Sequence, residues 1–227
     1  MNAANLPGTP GIYEQSLKLE NGKELRYTLF IPSPFDEKQE KPLILGLHYG
    51  GTVTPWYGKG YLIILALPGL KELDGIILAP DCPTPNGWDN PKAESALLEL
   101  VNTIKQNYNI DHKKILVTGF SLGGIGTWYM AARHPEIFSA AIPISAEIKP
   151  EIGKTIRIPV YAIHSSGDEI FPVKEVEESM QKLKARGMPV QLKIITGLSH
   201  YRTDSFVAPL HDAIPWIKQV WSNNVKK

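Results

Sequence analysis

Gly119-Phe120-Ser121-Leu122-Gly123 follows an apolar, β-branched run, Ile115-Leu116-Val117-Thr118, and precedes a helix-forming stretch over 125–133 that Pro135 closes. The pattern reads as a buried strand, a tight turn carrying a serine, and a helix. A turn this sharp leaves room only for small residues beside the serine, which accounts for Gly119 and Gly123. It also stands the hydroxyl at a helix N-terminus, where unpaired N–H groups favour negative charge. The pentapeptide also occurs in loops without chemistry. The strand before it and the helix after it make Ser121 a candidate nucleophile.

Working outward, residues 12–19 and 24–31 alternate in polarity around Asn21-Gly22, the signature of a hairpin. Continuous apolar runs at 43–47 and 75–79 read as strands buried on both faces. Residues 57–73 read as a loop and a helix broken at Pro68-Gly69. Asn90-Pro91 is a helix start, and the apolar stripe Ala93, Ala96, Leu97, Leu100, Val101 and Ile104 follows it. Strands are predicted at 140–144, 160–164 and 190–195. An amphipathic helix is predicted at 173–185 with Gly187 as its cap, and a last helix at 206–221 with Pro209 and Pro215 shaping its start. Strands alternating with helices predict one α/β domain over 1–227: a mostly parallel twisted sheet of about eight strands with helices on both faces. In such sheets the active site lies beyond the C-terminal ends of the strands.

Composition narrows the function classes. The 227 residues carry a net charge of +1 without basic or acidic blocks, so neither nucleic acid nor a membrane surface is an expected partner. The lone Cys82 allows no internal disulfide and reads as a small hydrophobe rather than a reactive thiol. Met1 to Gly8 lacks a basic n-region and an apolar stretch, which predicts a cytoplasmic protein, or a secreted one if the chain is a trimmed form. No apolar run reaches membrane-spanning length. No cluster has metal-ligand spacing and no glycine-rich loop fits a nucleotide, so no metal or cofactor is expected. A monomer or small homo-oligomer is expected.

A serine hydroxyl needs a general base, and the base needs an orienting carboxylate. Asp168, in Ser165-Ser166-Gly167-Asp168, follows the strand at 160–164, and His200 follows the strand at 190–195. Ser121, Asp168 and His200 each sit past their own strand. Asp168 also fits turn chemistry, and Glu169 is a rival acid. His112, His134 and His211 fall beside or within helices; His48 and His164 end strands and are expected to support loops. An oxyanion needs two N–H donors. Leu122 supplies one, and the loop His48-Tyr49-Gly50-Gly51 supplies the other, from Gly50 or else Tyr49. Trp88, Tyr57, Ile170 and Tyr201 adjoin these positions and either line an acyl or aryl pocket or pack loops at its rim.

With these residues in place the chain resembles the α/β-hydrolase superfamily, whose triads run Ser, Asp, His in chain order. Within it the chain is similar to the small lidless serine esterases: the phospholipase/carboxylesterase group, feruloyl and acetylxylan esterases, and the predicted-peptidase branch near prolyl oligopeptidase. Gly126-Thr127-Trp128 and His134-Pro135-Glu136-Ile137-Phe138 are particularly like that branch. The likeness runs from about 43 to 221, and Tyr49 stands where many relatives carry glycine. It implies a Ser–His–Asp carboxylesterase without a cap, since only 147–157 separates two strands where relatives insert one. Short acyl or aryl esters of feruloyl or acetyl type are the implied substrates. The alternatives are a serine peptidase acting on short peptides and a non-catalytic ligand-binding protein. A dienelactone hydrolase normally carries Cys, and a dehalogenase Asp, where Ser121 stands.

Overall fold

The computed structural model describes residues 6–225; of the N-terminal segment read above, Met1 to Asn5 lie outside them. β1 (Gly11–Lys18) and β2 (Glu24–Ile31) pair antiparallel around the Asn21-Gly22 turn. There Gly22 takes φ +80°, and the Asn21 carboxamide accepts the Lys23 N–H at 2.9 Å. The remaining strands are β3 (Lys41–Leu47), β4 (Ile76–Pro80), β5 (Ile110–Phe120), β6 (Ala140–Ile144), β7 (Val160–Ser165) and β8 (Val190–Ile195). They form one eight-stranded sheet in the order β1-β2-β4-β3-β5-β6-β7-β8, parallel from β4 onward.

Period-two alternation divides the core between the two faces. In β3, Leu43, Leu45 and Leu47 face one side with Ile76, Leu78 and Val117. Leu97, Leu100 and Ile104 of the helix Pro91–Asn107, Trp128 and Met130 of the helix Leu122–Arg133, and Met180 of the helix Val173–Ala185 cover that side. Ile44, Ile77, Leu116, Ile142 and Ile163 face the other, under Tyr61, Leu65, Phe206, Leu210 and Trp221. Each fully buried side chain of this size contributes roughly 1.5–3 kcal/mol. A buried carboxylate ties two of the helices together: Glu94 accepts the Tyr129 hydroxyl at 2.8 Å, and Arg133 Nε and His134 Nε2 each at 2.7 Å.

Three elements differ from the sequence reading. Residues 58–73 stay helical through Pro68-Gly69 instead of breaking there, because a π-helical turn at Leu62–Ala66 precedes the proline. That turn leaves Ile63 and Ile64 outward while Leu62, Leu65 and Ala66 are buried. The last helix is divided into Thr203–Phe206, Val207–His211 and Ile214–Val225. β5 extends back to Ile110, so His112 lies in a strand rather than at a helix end. Between β6 and β7 there is only a four-residue helix, Pro150–Gly153, and no cap. Among the described residues no helix is long and apolar enough to cross a membrane.

Phe206 and Ile64 give contrasting tests. Phe206 is fully buried, with its ring centroid 5.1 Å from that of Phe120. Phe206→Ala should lower the unfolding free energy by about 3–5 kcal/mol in chemical denaturation. Ile64→Ser, at an exposed position, should change it by less than about 0.5 kcal/mol.

Candidate functional site

The loops that follow β3, β5, β7 and β8 meet above the C-terminal edge of the sheet. Ser121 stands between β5 and the helix Leu122–Arg133 with φ +56° and ψ −119°, a conformation that L-residues rarely adopt. Its N–H is held by the Ile144 carbonyl at 3.0 Å, and its carbonyl accepts the Ile125 N–H at 3.0 Å. The elbow helix crosses directly over the end of β3. A β-carbon on Gly123 would lie 2.0 Å from the Leu47 carbonyl oxygen, and one on Gly119 2.3 Å from the Gly123 carbonyl oxygen. Backbone touches backbone at both places, so no side chain is accommodated.

The structure brings Ser121, Asp168 and His200 together. His200 Nε2 lies 2.9 Å from Ser121 Oγ, and His200 Nδ1 lies 2.9 Å from Asp168 Oδ2. The second Asp168 oxygen accepts the backbone N–H groups of Ile170 at 3.0 Å and Phe171 at 2.9 Å. Burial alone would push the Asp168 carboxyl up; the bonds from His200, Phe171 and Ile170 outweigh it and hold the group below its ordinary range. Asp168 is therefore an acceptor anion, and the His200 nitrogen facing it carries the proton. The rings of Phe120, Phe171 and Tyr201 surround the imidazole at 5.4, 5.5 and 5.8 Å between centroids.

The loop after β3 is anchored through His48, which is buried at its base. His48 Nε2 accepts the Cys82 N–H at 2.9 Å, which leaves Nδ1 to donate to the Tyr49 carbonyl at 2.6 Å. Burial lowers the pKa of this imidazole to about 4, and the bond to Tyr49 only partly opposes that. Gly50 lies against Leu122: a β-carbon there would come within 2.9 Å of Leu122 Cδ1. Leu122 opens its helix, so its N–H has no intrahelical acceptor.

A cleft of about 670 Å³ opens at Ser121. Of the residues predicted to contact substrate, Ile170 and Tyr201 line it, as do Tyr49, Gly50, Ser121 and His200. Trp88 and Tyr57 do not. Trp88 is buried and donates its indole N–H to the His48 carbonyl at 3.0 Å, behind the loop rather than in the cleft. Tyr57 packs edge-on against His48 and Tyr49 and donates its hydroxyl to the Gly50 carbonyl at 3.3 Å. Both support the loop after β3. Sequence reasoning missed four lining residues: Ile64, Phe120, Thr203 and Asp204. Phe120 lay inside the motif itself, whereas Ile64 depends on the π turn, which left no signal. Among the described residues no group of three or more His, Cys, Asp or Glu is placed to hold a metal ion.

His48 links acidity to stability. Its folded pKa lies below the unfolded value of 6.5, so its contribution is complete above pH 6.5 and is lost as pH falls toward 4. Burial lowers the pKa of His164 too, so it acts in the same direction. The unfolding free energy should fall by up to about 3 kcal/mol on this account between pH 6.5 and 4. His48→Gln should flatten that slope when denaturation is measured across the same interval.

A sequence model of the dienelactone hydrolase family matches residues 86–214. Protein usf of Aquifex pyrophilus is 26% identical over 186 residues, covering 66% of this chain and 80% of that protein. The probable feruloyl esterase C of Aspergillus terreus is 27% identical over 165 residues, covering 67% of this chain but only 57% of that enzyme. The crystal structure of a thermostable esterase superposes with a TM-score of 0.78 at 28% identity, covering 92% of this chain and 62% of that one. A ferulic acid esterase at 19% identity shares the fold, with a TM-score of 0.74. The family match spans more than half of the sequence, and the chain belongs to the dienelactone hydrolase family.

Proposed function

We propose that the chain hydrolyses carboxylic esters of small molecules through an acyl-enzyme on Ser121. The observation that carries this reading is the imidazole of His200, set 2.9 Å from both Ser121 Oγ and Asp168 Oδ2. In this reading the Ser121 hydroxyl passes its proton to His200 Nε2 as the oxygen attacks the ester carbonyl carbon. Asp168 accepts the Nδ1–H bond and stabilises the cation that forms. His200 then returns the proton to the departing alkoxide, and an alcohol leaves. Water attacks the acyl-enzyme by the same route and frees the acid.

The oxyanion is assigned to the N–H groups of Leu122 and Gly50. The close approach of Gly50 to Leu122 supports Gly50 over Tyr49. The cleft walls are mainly apolar, from Tyr49, Ile64, Phe120, Ile170 and Tyr201, and no cap covers them. Such a site suits short acyl chains and exposed aryl groups, and the names of the feruloyl esterase relatives agree with that choice.

Initial rates on p-nitrophenyl esters from acetate to palmitate test the reading. Short chains should be turned over fastest, and Ser121→Ala should lose on the order of 10⁶ in kcat. Residual activity near wild type in that variant would reject the mechanism. Gly50→Ala should cost about 10²-fold in kcat, because its β-carbon must displace Leu122. Leu122→Ala placed beside it should recover part of that loss.

A further inference from the structure

The loops bearing Asp168 and His200 are stitched together beyond the last ladder bond of β7 and β8. Ser165 Oγ donates to the Leu198 carbonyl at 2.6 Å, and Ser166 Oγ accepts the Gly197 N–H at 3.1 Å. The Ser166 N–H is held by the Ile195 carbonyl at 2.9 Å. These three contacts fix the roots of the loops. The tip of the His200 loop is held by a different residue, Glu169.

Glu169 is the acid that sequence reading set against Asp168. Its carboxylate does not approach the imidazole. One oxygen accepts the backbone N–H of His200 at 2.7 Å, and the other accepts the Ser199 hydroxyl at 2.5 Å. Ser199 Oγ in turn accepts the Tyr201 N–H at 3.3 Å. Adjacent carboxylates thus grip the same histidine at two points, Asp168 at the ring and Glu169 at the main chain. A ring bond to Asp168 fixes only where Nδ1 lies. The direction of Nε2 also depends on where the Cα–Cβ bond starts, and the main-chain bond sets that origin. Two charge-assisted bonds from one side chain are among the stronger contacts available to a solvated loop.

We infer that Glu169 is a positioning residue that clamps the main chain of His200 so that Nε2 is aimed at Ser121 before substrate arrives. The clamp acts on orientation rather than on charge at the imidazole. It should therefore survive replacement by a neutral acceptor of the same shape, because a glutamine oxygen still accepts the His200 N–H and its amide still reaches Ser199 Oγ. The catalytic consequence rests on the esterase reading above; the clamp itself does not.

The test compares Glu169→Ala, Glu169→Gln and wild type by steady-state kinetics, by labelling with a fluorophosphonate probe, and by amide hydrogen exchange at His200. Glu169→Ala should lose about 10–10²-fold in kcat and in labelling rate with KM and melting temperature unchanged. Exchange of the His200 N–H should rise on the order of tenfold. Glu169→Gln should restore all three to within a few-fold of wild type. Wild-type kcat in Glu169→Ala overturns the inference, as does a loss of kcat without faster exchange at His200, or one that Gln fails to rescue. Failure of wild type to label or to turn over esters rejects the esterase reading instead, and exchange at His200 still decides whether Glu169 is a clamp.

Discussion

The elbow helix rests on the end of β3 through bare backbone, with Gly123 pressed against the Leu47 carbonyl and Gly119 against Gly123. That contact fixes how near the turn bearing Ser121 can come to the loop that follows β3. A methyl group at Gly123 would drive the two apart, and one at Gly119 would force the turn itself open against Gly123. The distance between the candidate nucleophile and the Gly50 amide is thus set by van der Waals contact between main chains, which is stiffer than any side-chain arrangement. Beneath the contact β3 and β5 pair in parallel, with Leu47 opposite Gly119.

Around this contact the protein places its polar groups in two tiers. Ser121 and His200 form the tier that faces the cleft, with the Asp168 carboxylate buried behind the imidazole. A second set holds those residues or the neighbouring loop by the main chain: His48 and Trp88 for the loop after β3, Ile170 and Phe171 for Asp168, Glu169 for His200. The second tier works through backbone N–H and C=O groups, whose positions follow from the fold. Such support holds reacting groups in place at little reorganisation cost when charge develops.

Much of this was legible in the sequence, and the reason is topological. In a parallel sheet the chemistry sits at the ends of strands, so Ser121, Asp168 and His200 were marked by the apolar runs before them. Their joint approach to within hydrogen-bonding distance follows from adjacent loops at one sheet edge. For Trp88 and Tyr57 the sequence left pocket lining and loop packing open, because nearness along the chain to a candidate loop does not tell which side of it a side chain occupies; both pack the loop. Trp88 reaches a carbonyl 40 residues away, from behind. Ile64 and Asp204 enter the cleft from helical segments whose approach depends on a π turn and on the packing of the two segments against each other, neither of which has a local sequence signal. Glu169 was visible as an acid, but only coordinates distinguish a carboxylate aimed at a ring from one aimed at a main chain.

The backbone at Ser121 has a further meaning for how such a chain can change over time. A non-glycine residue at φ +56° and ψ −119° carries strain of order 1–3 kcal/mol, which the surrounding fold must absorb. Substituting glycine there would release that strain while deleting the hydroxyl, so selection for stability alone and selection for chemistry pull this position in opposite directions. A lineage freed from the need to react would drift toward a more stable protein at this codon. A serine in this conformation therefore costs the fold stability that only the chemistry proposed for its hydroxyl would offset.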